Sequence, residues 1–322
     1  LGWSSYEHNP SVCCVTSGRK NSDGSWRDVT AGDYLSEVQS LAKGLIAAGL
    51  KPGDAIGLMS RTRYEWTLID FAIWFAGGVV VPIYETSSPH QIEWILSDSD
   101  AVALFCENDE HLERFNKIKS SVKKVSQVWR IDSKEFSDLH KTGEKVSDAD
   151  LESARKNAEG PDLATIVYTS GTTGNPKGCE LTHSSFVDHC KNAAAEVPEL
   201  CNEFQKSLIF VPLAHIFGRY VAALCIYSGV KVGHLGDTKL VAAELPGYKP
   251  TFLLAVPRVF EKVYNNAELK AEAGGKGNLF RAAAQTAFDY SKALDDPKGP
   301  SLGLQLKQKL FLRLVLTKLR AA

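Results

Sequence analysis

The chain has no C-x-x-C pair, and none of its seven cysteines (positions 13, 14, 106, 179, 190, 201 and 225) has a histidine at zinc spacing. An odd count without such spacing excludes a disulfide framework and a structural zinc centre, and reads as reduced thiols in the cytosol. An excess of one charge is missing too: 37 Lys and Arg against 38 Asp and Glu leave a formal net charge of -1. No nucleic-acid-binding surface is expected, and any anion must be held by local arrangement. No basic segment followed by an apolar stretch opens the chain at Leu1, so no signal peptide is expected. Residues 207–230 approach the ~20 residues of a membrane span. His215 and Arg219 lie within them, and Pro212 and Gly218 break them into a strand and a helix.

What is present is enough apolar content, 44%, for a real core in 322 residues, a length that points to two lobes. One stretch stands out, Tyr168 to Gly178, reading YTSGTTGNPKG. Wrapping an anion requires glycines for close approach and positive φ, N–H and O–H donors, and a cation. Gly171, Gly174, Thr169, Ser170, Thr172, Thr173 and Lys177 supply all of these. Upstream, LATIVY over 163–168 reads as a strand. Downstream, Thr182 to Ala195 opens on a hydroxyl cap and reads as a helix. The order is strand, glycine loop, helix, but no G-x-x-x-x-G-K-[ST] fits these glycines, so this is not the P-loop of nucleotide hydrolases.

Along the chain, Thr30 and Asp33 form a capping box ahead of a helix to Leu50, with Tyr34, Val38, Leu41 and Leu45 on one face. A strand at 55–59, a helix at 63–77 burying Trp66, Ile69, Ile73 and Ala76, and the apolar run VVVPIY at 79–84 follow. That run suits a parallel strand covered on both faces. Ser88 and Pro89 start a third helix, and 101–106 reads as a strand. Trp66, Trp74 and Trp94 read as core aromatics. From 107 to 160 the composition turns charged, with one strand at 125–131. The alternation predicts two doubly wound α/β subdomains with mostly parallel sheets flanked by helices, one over 1–155 and one over 156–322, meeting near 145–161. The second holds strands at 207–211, 230–234 and 251–255, helices at 217–227 and from Pro257, and a Gly/Lys loop at 270–278. FAIWFAGGVVVPIY and AALCIYSGVKVGHL share one helix-to-strand pattern. A final helix over 302–320 mixes leucines with Lys307, Lys309, Arg313, Lys318 and Arg320. Its apolar positions run nearly all round, which favours packing over a membrane surface.

YTSGTTGNPKG resembles the phosphate-binding signature of the acyl-adenylate-forming enzymes. FVPLAHIFGR at 210–219 is similar to the segment of that family whose histidine lies beside the α-phosphate. TFLLAVPRVFEKVY at 251–264 and HLGDTKLV at 234–241 look most like long-chain fatty acyl-CoA synthetases. The resemblance implies ATP-dependent conversion of a long-chain fatty acid to acyl-AMP and then acyl-CoA, with ATP, Mg²⁺ and CoA taking part. By resemblance, Thr169 is the Mg²⁺ ligand, and Ser170, Gly171, Thr172, Thr173, Gly174 and Lys177 hold phosphate oxygens. His215 acts at the α-phosphate, and Phe217 and Gly218 line the acyl pocket. A cytoplasmic enzyme is implied, and peripheral contact with the inner face of the membrane and a homodimer are compatible with it.

The family's aromatic-Gly-x-Thr-Glu segment, ribose-binding aspartate, hinge and catalytic lysine have no match in this chain. It therefore reads as the N-terminal part of a protein about twice as long, inactive by itself. Three alternatives stay open: a ligase for another acid or a carrier-protein acceptor, a phosphate-binding module or nucleotide hydrolase without acyl chemistry, and an interaction protein with a relict loop.

Overall fold

The computed structural model describes residues 15–20, 24–169 and 174–317. The chain divides into one compact unit over Leu1–Leu254 and another over Ala255–Ala322. In the larger unit, a six-stranded sheet is assembled from β3 (Ala55–Met59), β4 (Val79–Ile83), β5 (Ala103–Cys106), β6 (Gln127–Arg130), β7 (Leu163–Thr169) and β8 (Lys177–Thr182). Their order is β6-β5-β3-β4-β7-β8. All neighbours run parallel except β8, which lies antiparallel on the edge. A four-stranded sheet takes β1 (Val15–Lys20), β2 (Trp26–Thr30), β9 (Lys206–Ile209) and β10 (Lys231–His234) in the order β2-β1-β10-β9.

A division at residues 155 and 156 does not follow these sheets. After that point β7 pairs with β4 through Val80 and Thr165, and before it β1 pairs with β10 through Ser17 and Val232. The reason is physical: these pairings are parallel, and a parallel neighbour must come from a distant segment through a crossover connection.

Helix α1 (Ala31–Ala47) starts on the expected capping box, with Thr30 and Asp33 bonded reciprocally, and buries Tyr34, Val38, Leu41 and Leu45. Helix α2 (Tyr64–Phe75) departs from the expected stripe, since all twelve of its residues are buried. It is covered all round because its apolar residues share one core cluster with β3, β9 and β10, strands of both sheets, while Glu65, Thr67 and Asp70 are buried as polar groups. Alternation then sorts the strands: Ile56, Leu58 and Val80 face that cluster. Ala55, Met59, Val79, Val81 and Ile83 face a second cluster, shared with α3 (Pro89–Asp98) through Ile92, Ile95 and Leu96.

The charged stretch holds helices as well as its one strand. It carries α4 (Asp109–Asn116), α5 (Lys134–Thr142) and α6 (Asp148–Lys156), each started by a side-chain cap from Asn108, Ser133 or Ser147. Beyond β8 come α7 (His183–Glu196), α8 (Ile216–Tyr227) and α9 (Val241–Tyr248). The expected strand at 251–255 is reduced to a single bridge between Ser207 and Phe252. There the Thr251 hydroxyl accepts from Lys206 N at 2.8 Å, taking a donor a ladder would use. In the smaller unit, α10 (Pro257–Ala273) and α11 (Gly277–Leu294) leave only 274–276 of the expected Gly/Lys loop. The last helix, α12 (Leu302–Phe311), passes into a π-helical turn over Leu312–Leu316.

Candidate functional site

Strand β7 leads into the glycine-rich stretch and ends at Thr169. Ser170, Gly171, Thr172 and Thr173, four of the expected phosphate-binding residues, lie outside the described residues. The next described residue is Gly174, whose φ of +91° suits glycine and around which a side chain would meet nothing within 4 Å. Lys177 then opens β8, directly across from Thr169 in the antiparallel register. Both side chains are exposed. The expected order of strand, loop and helix is thus corrected, because a whole strand stands between the loop and α7. The loop joins the two arms of a hairpin.

Helix α3 grips both arms at the base of this loop. Trp94 Nε1 donates to the carbonyl of Pro176 at 2.8 Å on one side, and the Tyr168 hydroxyl donates to Asp98 Oδ2 at 2.7 Å on the other. Trp94 and Asp98 are four residues apart, hence on one helix face. Burial and the nearby Asp98 carboxylate push the Tyr168 hydroxyl's pKa well up, so it stays a donor. Trp94 is therefore more than a core aromatic.

His215 is the cap of α8: its Nδ1 accepts from Phe217 N at 3.2 Å. A backbone donor at Nδ1 puts the proton of the neutral ring on Nε2, which leaves an N–H donor on an exposed side chain. Phe217 is 52% exposed. It lines an apolar cavity of about 350 Å³ with Leu181, Phe186, Ile216 and Tyr220, so β8, α7 and the start of α8 share one space. Gly218 is buried at the turn, where a Cβ would come within 2.8 Å of both Pro212 O and Val211 Cγ2. The next residue, Arg219, is buried against Asp70 of α2 and Thr165 of β7. No expectation assigned it a role. The readable signal was a lone Arg inside an otherwise uncharged helix and an Asp in the middle of a helix rich in apolar residues.

Among the described residues, no three His, Cys, Asp or Glu gather into a metal-binding group. Thr169 offers one hydroxyl and no carboxylate partner within such a cluster.

A family model described as AMP-binding enzyme matches residues 5–314. The chain belongs to the AMP-binding enzyme family. This AMP-binding enzyme is 44% identical over 303 residues to the long-chain-fatty-acid–CoA ligase FadD15 of Mycobacterium bovis, which covers 93% of the chain and 50% of that protein. The peroxisomal long chain acyl-CoA synthetase 7 of Arabidopsis thaliana is 32% identical over 286 residues, covering 82% of the chain and 40% of that protein. The chain spans about half the length of the curated relatives it matches. Two solved structures share the fold. The long-chain-fatty-acid-CoA ligase FadD1 of Archaeoglobus fulgidus superposes with a TM-score of 0.65 at 23% identity, over 75% of this chain and 47% of that one. The N-terminal domain of FACL13 from Mycobacterium tuberculosis gives 0.68 at 19% identity, over 81% of this chain and 63% of that one.

Proposed function

We propose that the protein containing this chain activates a long-chain fatty acid with ATP and transfers the acyl group to CoA. The observation that carries this reading is the 44% identity to a long-chain-fatty-acid–CoA ligase along 93% of the chain. In the first step a fatty carboxylate attacks the α-phosphorus of ATP and pyrophosphate leaves. In the second the CoA thiol displaces AMP from the acyl-adenylate. Lys177, exposed at the hairpin mouth, holds the departing β- and γ-phosphates together with the hydroxyls and amides of 170–174. Nε2–H of His215 donates to an α-phosphate oxygen as charge grows there. Phe217 and the apolar cavity beside it receive the acyl chain. Thr169, with its single hydroxyl, is a fitting partner for a Mg²⁺ that ATP itself carries, and that ion supplies charge neutralisation for the leaving pyrophosphate.

We place the protein in the cytoplasm, with contact at the inner membrane face. Where the sequence pattern favours a packed helix, the exposure of Leu302, Leu306, Leu310 and Leu314, every fourth residue, beside Lys307, Lys309 and Arg313 supports such contact instead. Among the described residues no helix is long and apolar enough to cross a membrane. Co-sedimentation with anionic vesicles tests the contact, and sedimentation velocity tests a homodimer.

The deciding experiment is ATP–pyrophosphate exchange by a full-length protein that carries this chain, with acids from acetate to oleate. Exchange that requires a long acid is the expected result. Exchange with other acids only would move the reading to a different adenylate-forming ligase. ATP hydrolysis without any acid dependence would replace it with a nucleotide hydrolase.

A further inference from the structure

We propose that Arg219 is a positioning residue that locks the strand entering the glycine loop to the helix carrying His215; this rests on the adenylation reading above. Arg219 is 1% exposed. Its guanidinium donates from Nε to Asp70 Oδ2 at 2.9 Å and from Nη2 to Asp70 Oδ1 at 2.5 Å. Nη1 donates to Thr165 Oγ1 at 2.6 Å, and the Thr165 hydroxyl donates in turn to the carbonyl of Val80 at 2.5 Å. The rings of Trp74, Phe186 and Trp66 surround it, with centroids 5.0, 5.2 and 5.7 Å from Cζ.

At the other end of the residue, Arg219 N donates to the carbonyl of His215 at 3.2 Å and closes the turn that His215 caps. One residue thus touches both halves of the site. Its backbone is bonded to His215, and its side chain to Thr165, four positions before Thr169 on the same strand.

A buried ion pair is a poor device for stability, because an apolar pair of equal volume serves at least as well. Its distinctive property is direction. The planar fork must satisfy a carboxylate and a hydroxyl at fixed angles, and the aromatic walls leave it no second arrangement. Sliding β7 against α8 by an ångström breaks charged bonds that no water can replace. The network therefore sets where His215 stands relative to the glycine loop, a distance on which in-line transfer depends steeply.

The test uses the full-length protein and the variants Arg219→Lys, Thr165→Val and Thr165→Ser. Lysine keeps the charge beside Asp70 but lacks the planar fork that meets Asp70 and Thr165 at fixed angles. Valine keeps the shape of Thr165 without its hydroxyl, and serine keeps the hydroxyl. Arg219→Lys and Thr165→Val should each lower kcat for acid-dependent exchange by about tenfold or more while KM for ATP moves much less, the mark of lost positioning. Thr165→Ser should restore kcat. Unchanged kcat in the first two variants, a loss confined to KM, or an equal loss in Thr165→Ser would overturn the proposal. If Arg219→Lys fails to fold, the Thr165 pair decides.

Amide hydrogen exchange supplies a readout free of the chemistry. In Arg219→Lys or Thr165→Val, protection should fall together in 166–169 and 216–219. A fall in one segment alone, or in neither, would refute the link. Absence of exchange activity in the unmodified protein would instead sink the adenylation reading, and the amide measurement would still judge Arg219.

Discussion

The grip of α3 on the hairpin base makes a quantitative prediction. Trp94→Phe removes the 2.8 Å bond to Pro176 O, and Tyr168→Phe removes the 2.7 Å bond to Asp98. A net contribution of about 1 kcal/mol suits the first. The second has a charged acceptor, but Asp98 is exposed, so solvent screening holds it near the same ~1 kcal/mol. If this energy holds the hairpin mouth in its ATP-binding geometry, each single change weakens ATP affinity by at most roughly fivefold, and the pair together by roughly 25-fold. The phenylalanines keep most of the buried area, so the core remains filled. The assay is KM for ATP in pyrophosphate exchange, paired with the ATP-induced rise in melting temperature. A lowered melting temperature with unchanged ATP affinity in all three variants would refute the reasoning, because the two bonds would then serve the fold alone.

Other consequences are open to direct measurement. Lys177→Ala should lower exchange on the order of 10²-fold for one preorganised charge, and leave the melting temperature unchanged because Lys177 is exposed. Gly218→Ala puts a Cβ 2.8 Å from Pro212 O and Val211 Cγ2. Overpacking of that kind costs about 1–3 kcal/mol, read by urea unfolding, and it should depress kcat by moving His215; unaltered kcat with reduced stability would separate the two. His234 is buried and its pKa falls to about 4, burial being the cause, with Glu65 pulling weakly the other way. Between pH 6.5 and 4 the unfolded state therefore binds the extra proton, so stability declines as pH falls through that window, by about 2 kcal/mol from pH 7 to 5. His111, His140 and His183 are lowered by burial too and add to the same slope. Among the described residues Nδ1 of His234 has no partner, and Nε2 has only the long 3.5 Å contact with Thr67 Oγ1, so His234→Leu should fold and show a shallower slope; an unchanged slope would remove His234 from the account.

Local chemistry made much of this legible in advance. The capping box at Thr30, the Pro89 helix start and the apolar run at 79–83 each act within a few residues, and each appears where the pattern puts it. Strand β8 escaped because KGCELT has no β signature; its first four residues are exposed, and only pairing with β7 makes it a strand. The helices of the charged stretch escaped because high polarity hid their narrow apolar faces, although their Asn and Ser caps were in view. Trp94 and Pro176 lie 82 residues apart, and Arg219 and Asp70 lie 149 apart. No periodicity encodes such partners.

Placing the glycine loop in a hairpin changes where its positive charge comes from. A loop that enters a helix can use the helix N-terminus, worth about half an elementary charge, to hold phosphate. Antiparallel strands have alternating dipoles that nearly cancel, so β7 and β8 contribute almost no fixed field at the mouth. In the proposed reading the charge comes from Lys177, exposed on the edge strand where solvent screens it, and from the loop's own donors. Such a site cannot rely on field strength. It must rely on geometry, and the two devices that fix geometry here lie away from the mouth: the α3 grip at the hairpin base, and the buried Arg219 that ties β7 to the turn of His215. In the adenylation proposed above, charge at the surface would do the holding, and charge in the core would set the position from which it holds.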